Sequence, residues 1–227
     1  MATDNPKALM HSWQANAQAW TQVVREQRLA SRRLVTDAAL LEAIHGCSPN
    51  RVLDVGCGEG WLCRALAAEG IEVIGVDASQ PLIVQARNAD AYPQRYHHRG
   101  YDQLAGEGHA LGQFDLLVCN FALLEEALLP SLEALKARAT STGCLMIQTL
   151  HPWQACGGQA YQDGWRVERF TDFSDEFVEP MPWYFRTLAS WLALLTEAGW
   201  QLQWLREPMH PEQQQPASML LLLRVQA

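Results

Sequence analysis

The segment Val52-Leu-Asp-Val-Gly-Cys-Gly-Glu-Gly60 constrains the fold more than any other part of the chain. A β-branched apolar run over residues 51–56 meets glycines on alternate positions, Gly56, Gly58 and Gly60, and a helical stretch over 61–69 follows, with Gly70 placed to end it. Glycine permits positive φ and lets a bound molecule touch bare main chain, so the pattern reads as a ligand-holding strand-to-helix turn. A second apolar strand over 71–77 ends on Asp77. In a nucleotide-binding α/β sheet an acid at that place accepts hydrogen bonds from the ribose hydroxyls. A carboxylate suits the task because it only accepts and can do so twice. Loop and acid together are far more specific than either alone.

The rest of the chain repeats this rhythm. Ser79 and Pro81 open a helix that carries Leu82, Ile83 and Ala86 inward. A weaker third strand is expected over 95–100 and a fourth over 114–120. A helical stretch then runs to about residue 140, before a fifth strand over 144–150. Near-continuous apolar strands alternating with helices specify a parallel sheet covered on both faces, and right-handed crossovers make it doubly wound. Ahead of it, Met10, Trp13, Ala17, Trp20 and Val24 recur at helical steps, and a further helix spans 36–45. Behind it come a helix over 187–198 and strands over 200–206 and 218–225. No repeat or linker divides the chain. The expectation is one domain over 1–227: a helical cap (1–46), a cofactor-binding core (47–150), an insertion (151–186) and a C-terminal helix with two strands (187–227).

The insertion breaks the alternation. It is rich in Gly, Pro and aromatics, among them Trp153, Tyr161, Trp165, Phe170, Phe173 and Trp183. It is too long for an ordinary connection. Core packing and a hydrophobic acceptor pocket predict the same composition; the absence of helix or strand periodicity favours the pocket. Trp13 and Trp20 have the spacing of core residues, or of a lid.

Charge narrows the ligand. Lys and Arg number 17 against 25 Asp and Glu, a net charge of −8. Such a balance disfavours a phosphate backbone as partner, and the one basic cluster, Arg25, Arg28, Arg32 and Arg33, reads as a short helical patch. Residues 1–7 lack a basic stretch followed by an apolar run, and no apolar stretch approaches the roughly 20 residues of a membrane span. The six cysteines form no CxxC pair, which fits reduced thiols and a cytoplasmic protein. No metal-ligand spacing is present; His97 and His98 are adjacent in a strand and point to opposite faces. Within the glycine loop, the third glycine of the dinucleotide pattern is replaced by Trp61, which would crowd a pyrophosphate. Asp54, just ahead of the first glycine, suits an amino-bearing ligand better than a phosphate. Both features favour S-adenosylmethionine.

On these residues the chain resembles the class I S-adenosylmethionine-dependent methyltransferases of the small-molecule branch. The resemblance rests on 52–60, 73–79, 114–120 and the strand from Gly143 to Ile147, and covers residues 35–150 most closely. It implies a Rossmann-like, doubly wound seven-stranded sheet whose last strand is antiparallel. It implies that Gly56, Gly58 and Gly60 line the methionine moiety, that Asp54 approaches its ammonium directly or through water, and that Asp77 holds the ribose. By the same resemblance Ala78 flanks the adenine, Tyr101 and Asp102 meet it, and Asn120 and Phe121 border the sulfonium. The product would be S-adenosylhomocysteine.

The acceptor is less constrained. Methyl transfer from a sulfonium needs mainly alignment and water exclusion, and an oxygen acceptor gains from a base. His151, directly after the fifth strand, and Glu125, after the fourth, are the candidate catalytic residues. A turn role for His151 and a solvated helix face for Glu125 remain the competing readings. The segment Asn120-Phe-Ala-Leu123 lacks the Pro-Pro-aromatic turn of adenine and glutamine N-methyltransferases, and no Pro-Cys nucleophile is present. The favoured reading is methyl transfer to a small molecule with an apolar or aromatic part, at oxygen. The alternatives are a non-catalytic S-adenosylmethionine-binding module and an NAD(P)-dependent oxidoreductase.

Overall fold

The computed structural model describes residues 4–106, 110–173 and 175–226. Seven strands form the central sheet: β1 (Arg51–Val55), β2 (Glu72–Asp77), β3 (Tyr96–His98), β4 (Phe114–Asn120), β5 (Ala139–Thr149), β8 (Trp200–Arg206) and β9 (Met219–Val225). Their order is β3-β2-β1-β4-β5-β9-β8. Pairing is parallel except around the last strand, β9, which runs antiparallel to both β5 and β8.

Successive residues of the inner strands feed two separate cores. Val52, Leu116, Val118, Met146 and Leu220 pack with Leu40, Leu62 and Ile83 on one face. Leu53, Leu117, Leu145, Ile147 and Leu221 pack with Leu132, Trp191 and Leu195 on the other. This is period-two geometry with both faces dry, the reason these strands read as unbroken apolar runs. The first face is covered by α3 (Asp37–Cys47), α4 (Trp61–Ala68) and α5 (Gln80–Asn88), the second by α6 (Leu129–Lys136) and α8 (Leu188–Glu197).

The cap and insertion depart from the expectations. The first helix is two, α1 (Asn5–Ala15) and α2 (Ala17–Arg25), broken at Asn16. Their buried residues are Leu9, Ser12, Ala17, Ala19, Thr21 and Val23; of the expected stripe only Ala17 is among them, and Met10, Trp13, Trp20 and Val24 are half-buried. The four arginines do not share a helix: Gln27 takes positive φ after α2, and Arg32 opens a π-helical turn, Arg32–Thr36. Three of them are neutralised by acids, Arg25 by Glu59, Arg28 by Glu176 and Arg32 by Asp37. The insertion holds a short helix, α7 (Pro152–Ala155), and a two-stranded hairpin of β6 (Gly164–Glu168) with β7 (Met181–Phe185). After β4 the chain stays irregular until α6, because Phe121 takes a left-handed φ of 51° and Pro130 sits in the first turn of the helix. The third strand spans only three residues, because Pro93–Arg95 forms a tight 3₁₀ turn. All six cysteines are free. No helix among the described residues is long and apolar enough to cross a membrane.

Candidate active site

A cavity of about 810 Å³ lies at the carboxyl ends of β1, β2 and β4, where strand order reverses between β1 and β4. One wall is main chain and short side chains: Gly56, Gly58, Asp77, Ala78, Ser79 and Asn120. The other comes from α1, α2 and the hairpin, with Trp13, Trp20, Phe170, Phe173, Met181 and Trp183.

The first wall is fixed by its turns. Gly56 has φ 77°, and a Cβ there would lie 2.4 Å from Ala122 Cβ, so any other residue would push the loop from β4 outward. Gly58 has φ 56° with nothing within 4 Å of where a Cβ would be, which leaves open space for a ligand against the main chain. Asp77 is held in one orientation. Its Oδ2 accepts from Gly58 N at 2.8 Å and its Oδ1 from Ser79 N at 2.7 Å. Burial raises its pKa while those two amides pull it down. Two backbone bonds leave a carboxylate further lone pairs to offer.

Four buried polar atoms of residues that line this space have no protein partner. Asn120 Oδ1, Ser79 Oγ, Arg32 Nη2 and Trp20 Nε1 are all buried and unbonded, and their residues line the cavity. Buried polar atoms are rarely left so, and four around one cavity fit a polar ligand. Arg32 lies 4.9 Å over the Trp61 ring and donates to Asp37 through Nε at 3.0 Å, while its Nη2 makes no hydrogen bond within the protein. Phe121, strained in the left-handed region, is anchored by its N–H to Gln148 O at 2.8 Å.

Of the residues singled out from sequence, Gly56, Gly58, Asp77, Ala78, Tyr101, Asp102, Asn120, Phe121 and Glu125 line the cavity. Three do not. Gly60 turns toward the Tyr96 ring, which occupies the position its Cβ would take. Asp54 lies beneath the loop, 2% exposed, with Cys63 Sγ donating to it at 3.4 Å. Burial pushes its pKa up to about 7. His151 is off the cavity wall, its Nε2 bonded to Glu207 Oε1 at 2.7 Å. Tyr101 spends its hydroxyl on Ala122 O at 2.8 Å. Glu125 is partly buried, and burial, then the charge of Asp102, raise its pKa. Its neighbour Glu126 accepts from Trp165 Nε1 at 3.0 Å instead.

Sequence reasoning missed Arg32, Ser79 as a wall residue, and Glu59. Glu59 lines the cavity between two arginines. No local pattern marks Arg32, because its π-helical turn places it only after the chain has folded. Trp13 and Trp20 line the cavity side by side, and Trp20 meets the rings of Phe170 and Phe177 of the insertion edge-on.

Comparison with known proteins agrees with this geometry. Residues 24–204 match the family model described as a methyltransferase domain. A ubiquinone biosynthesis O-methyltransferase from Aromatoleum aromaticum is 38% identical over 77 residues, 33% of this chain and 32% of that protein. A malonyl-[acyl-carrier protein] O-methyltransferase from Erwinia billingiae is 33% identical over 95 residues, 40% of this chain and 36% of that protein. Each match thus spans about a third of the relative's length. Among solved structures, a putative S-adenosylmethionine-dependent methyltransferase from Listeria monocytogenes superposes with a TM-score of 0.63 at 22% identity, over 78% of this chain and 92% of that one. With the family match running from the cap to β8, and the glycine loop and Asp77 on one wall of the cavity, the chain belongs to the class I S-adenosylmethionine-dependent methyltransferases.

Proposed function

We propose that this enzyme transfers the methyl group of S-adenosylmethionine to an oxygen of a small, apolar, non-anionic acceptor. The observation that carries the reading is the continuity of the cavity from Asp77 and the glycine loop to the aromatic wall. Donor and acceptor can share one enclosed space. The residues present fit the cofactor: an open glycine cradle, a fixed carboxylate, and buried donors and acceptors with no protein partner.

In this reading Asp77 accepts from the ribose hydroxyls, and Ala78 and Asp102 border the adenine. Tyr101 packs beside them with its hydroxyl already satisfied by Ala122. Gly56 and Gly58 present main chain to the methionine portion. The free Nη2 of Arg32 complements a carboxylate, and Asn120 and Phe121 border the reacting side. Asp54 acts from beneath the loop rather than on the wall. The bound cofactor supplies a methyl already activated on a sulfonium. The chain therefore has to align the acceptor, exclude water and take up a proton. Glu125 is the base: it lines the cavity, and its raised pKa lets it hold a proton better than an ordinary glutamate. His151, held by Glu207 away from the cavity, is not given that role.

The acceptor's chemistry follows from its wall. Trp13, Trp20, Phe173 and Trp183 offer flat apolar faces, and Asp102, Glu125, Glu168 and Asp172 edge the same space. Among the described residues Arg32 is the single Arg or Lys on the cavity wall. Such a site suits a neutral or cationic aromatic molecule and repels an anion. The test is an acceptor screen of phenols, hydroxylated aromatic amines, carboxylic acids and a short RNA, read as S-adenosylhomocysteine release. Turnover of phenols or hydroxylated amines is expected. Turnover confined to carboxylates or RNA would overturn the proposal.

A further inference from the structure

Glu59 is the most heavily bonded residue of the glycine loop. Its side chain is 3% exposed, lines the cavity, and lies between two guanidinium groups. Arg64 approaches from α4, its Nη2 2.9 Å from Oε1 and 2.8 Å from Oε2, and its Nη1 donates to the Glu59 carbonyl at 2.6 Å. Arg25 approaches from the cap, its Nε donating to Oε2 at 2.7 Å and its Nη2 to Gln85 O on α5 at 2.9 Å.

The two arginines are not equivalent. Arg64 sits on the helix that continues the loop, so it neutralises the buried carboxylate within one local segment. Arg25 adds no charge that Glu59 still lacks. What it adds is a bond between the cap and the loop, from the last residue of α2. Trp20 and Val24 of that helix form part of the wall opposite the glycines. A ligand lying on Gly56 and Gly58 is thus covered by a helix tied to the same loop.

We propose that Arg25 is a positioning residue: through Glu59 it latches the cap onto the cofactor loop and sets how fast the cofactor leaves. This rests on the reading that the glycine loop holds the cofactor. The latch acts on release more than on capture, because the cap has to lift before a covered ligand can depart.

The experiment is stopped-flow displacement of S-adenosylhomocysteine, followed by tryptophan fluorescence. Arg25→Met should raise the dissociation rate about three- to tenfold, the size of a charge-assisted bond discounted for the partial exposure of Arg25. Arg25→Lys, which keeps the charge but not the Gln85 bond, should fall between. Glu59→Gln and the double variant complete a cycle in which the two changes are less than additive. Should Arg25→Met fail to fold, Arg25→Lys still reports, because it keeps the charge beside Glu59 and loses the bond to Gln85 O. A dissociation rate unmoved by Arg25→Met, or by Arg25→Lys should the first not fold, or strictly additive changes in the cycle, would overturn the latch. Asp77→Ala separates the two ideas. If it weakens binding while Arg25→Met does nothing, only the latch is wrong; if it too does nothing, the loop is not the cofactor site.

Discussion

The two walls of the cavity are built on different principles. The wall proposed for the cofactor, the cofactor wall, is made by the ends of parallel strands. Its shape is set by backbone: positive φ at Gly56 and Gly58, a left-handed Phe121, and Asp77 pinned by two amides. The wall proposed for the acceptor, the acceptor wall, is made by side chains from α1, α2 and the hairpin, packed on one another as Trp20 on Phe170 and Phe177. Its own apolar cluster, with Leu9, Val23, Phe170 and Met181, is separate from the two cores that flank the sheet. A wall specified by backbone can hold one ligand closely while a wall of side chains is refitted to another. The contrast predicts that damage to the first wall falls on cofactor affinity, and damage to the second on acceptor turnover and local stability.

The largest effect tests the acceptor side. Glu125→Gln should lower kcat by about 10²- to 10⁴-fold with an acceptor from the screen, the range for loss of a general base. The native rate should fall as pH drops through the pKa of Glu125, which lies above that of an ordinary glutamate. In Glu125→Gln that acid limb should vanish. A variant with full activity would assign proton removal elsewhere, or show that the acceptor needs none.

Beneath the cofactor wall, Asp54 offers the next test. Its pKa is raised from 3.8 to about 7, so the native state favours the protonated form. The contribution to stability is fully present below pH 4 and is lost as pH rises through 7. The native protein should therefore lose about 2–4 kcal/mol relative to Asp54→Asn between pH 4 and pH 8, measured by urea denaturation of both. Parallel pH profiles would show that Asp54 is ionised throughout. Asp77→Ala should follow, weakening S-adenosylhomocysteine binding in calorimetry by about 1.5–3 kcal/mol through loss of a charged acceptor.

What the sequence reveals follows the same division. Gly56, Gly58 and Asp77 are legible as residues of the cavity wall because strand, turn and acid lie close together in the chain; Asn120, far along the chain from them, is reached only through the family resemblance. Gly60 looks identical to its neighbours in sequence, yet its role is decided by Tyr96, 36 residues away. Asp54 is adjacent to the loop but points under it, a distinction that strand periodicity alone does not resolve across a turn. The hairpin escapes notice because Gly164 opens one strand and Pro182 interrupts the other, and both are weak strand formers. Arg32, Trp20 and Trp183 meet only in three dimensions, so no spacing announces them.

The smallest effect probes the joint between cap and hairpin. Asn16, at the break between α1 and α2, is 1% exposed and uses both ends of its amide. Its Nδ2 donates to Glu179 O at 2.7 Å, and its Oδ1 accepts from Val178 N at 2.9 Å and Glu179 N at 3.2 Å. These bonds stitch the helix break to the chain just before β7. Asn16→Ala would leave those backbone groups without their partner, at a cost of about 1–2 kcal/mol. Because the joint belongs to the cap and hairpin, that cost should appear as faster hydrogen exchange in the β6–β7 hairpin and α1, with β1, β4 and β5 unchanged. Equal acceleration in the sheet would mean that the acceptor wall and the core open as one unit, and the contrast between the two walls would then fail as an account of stability.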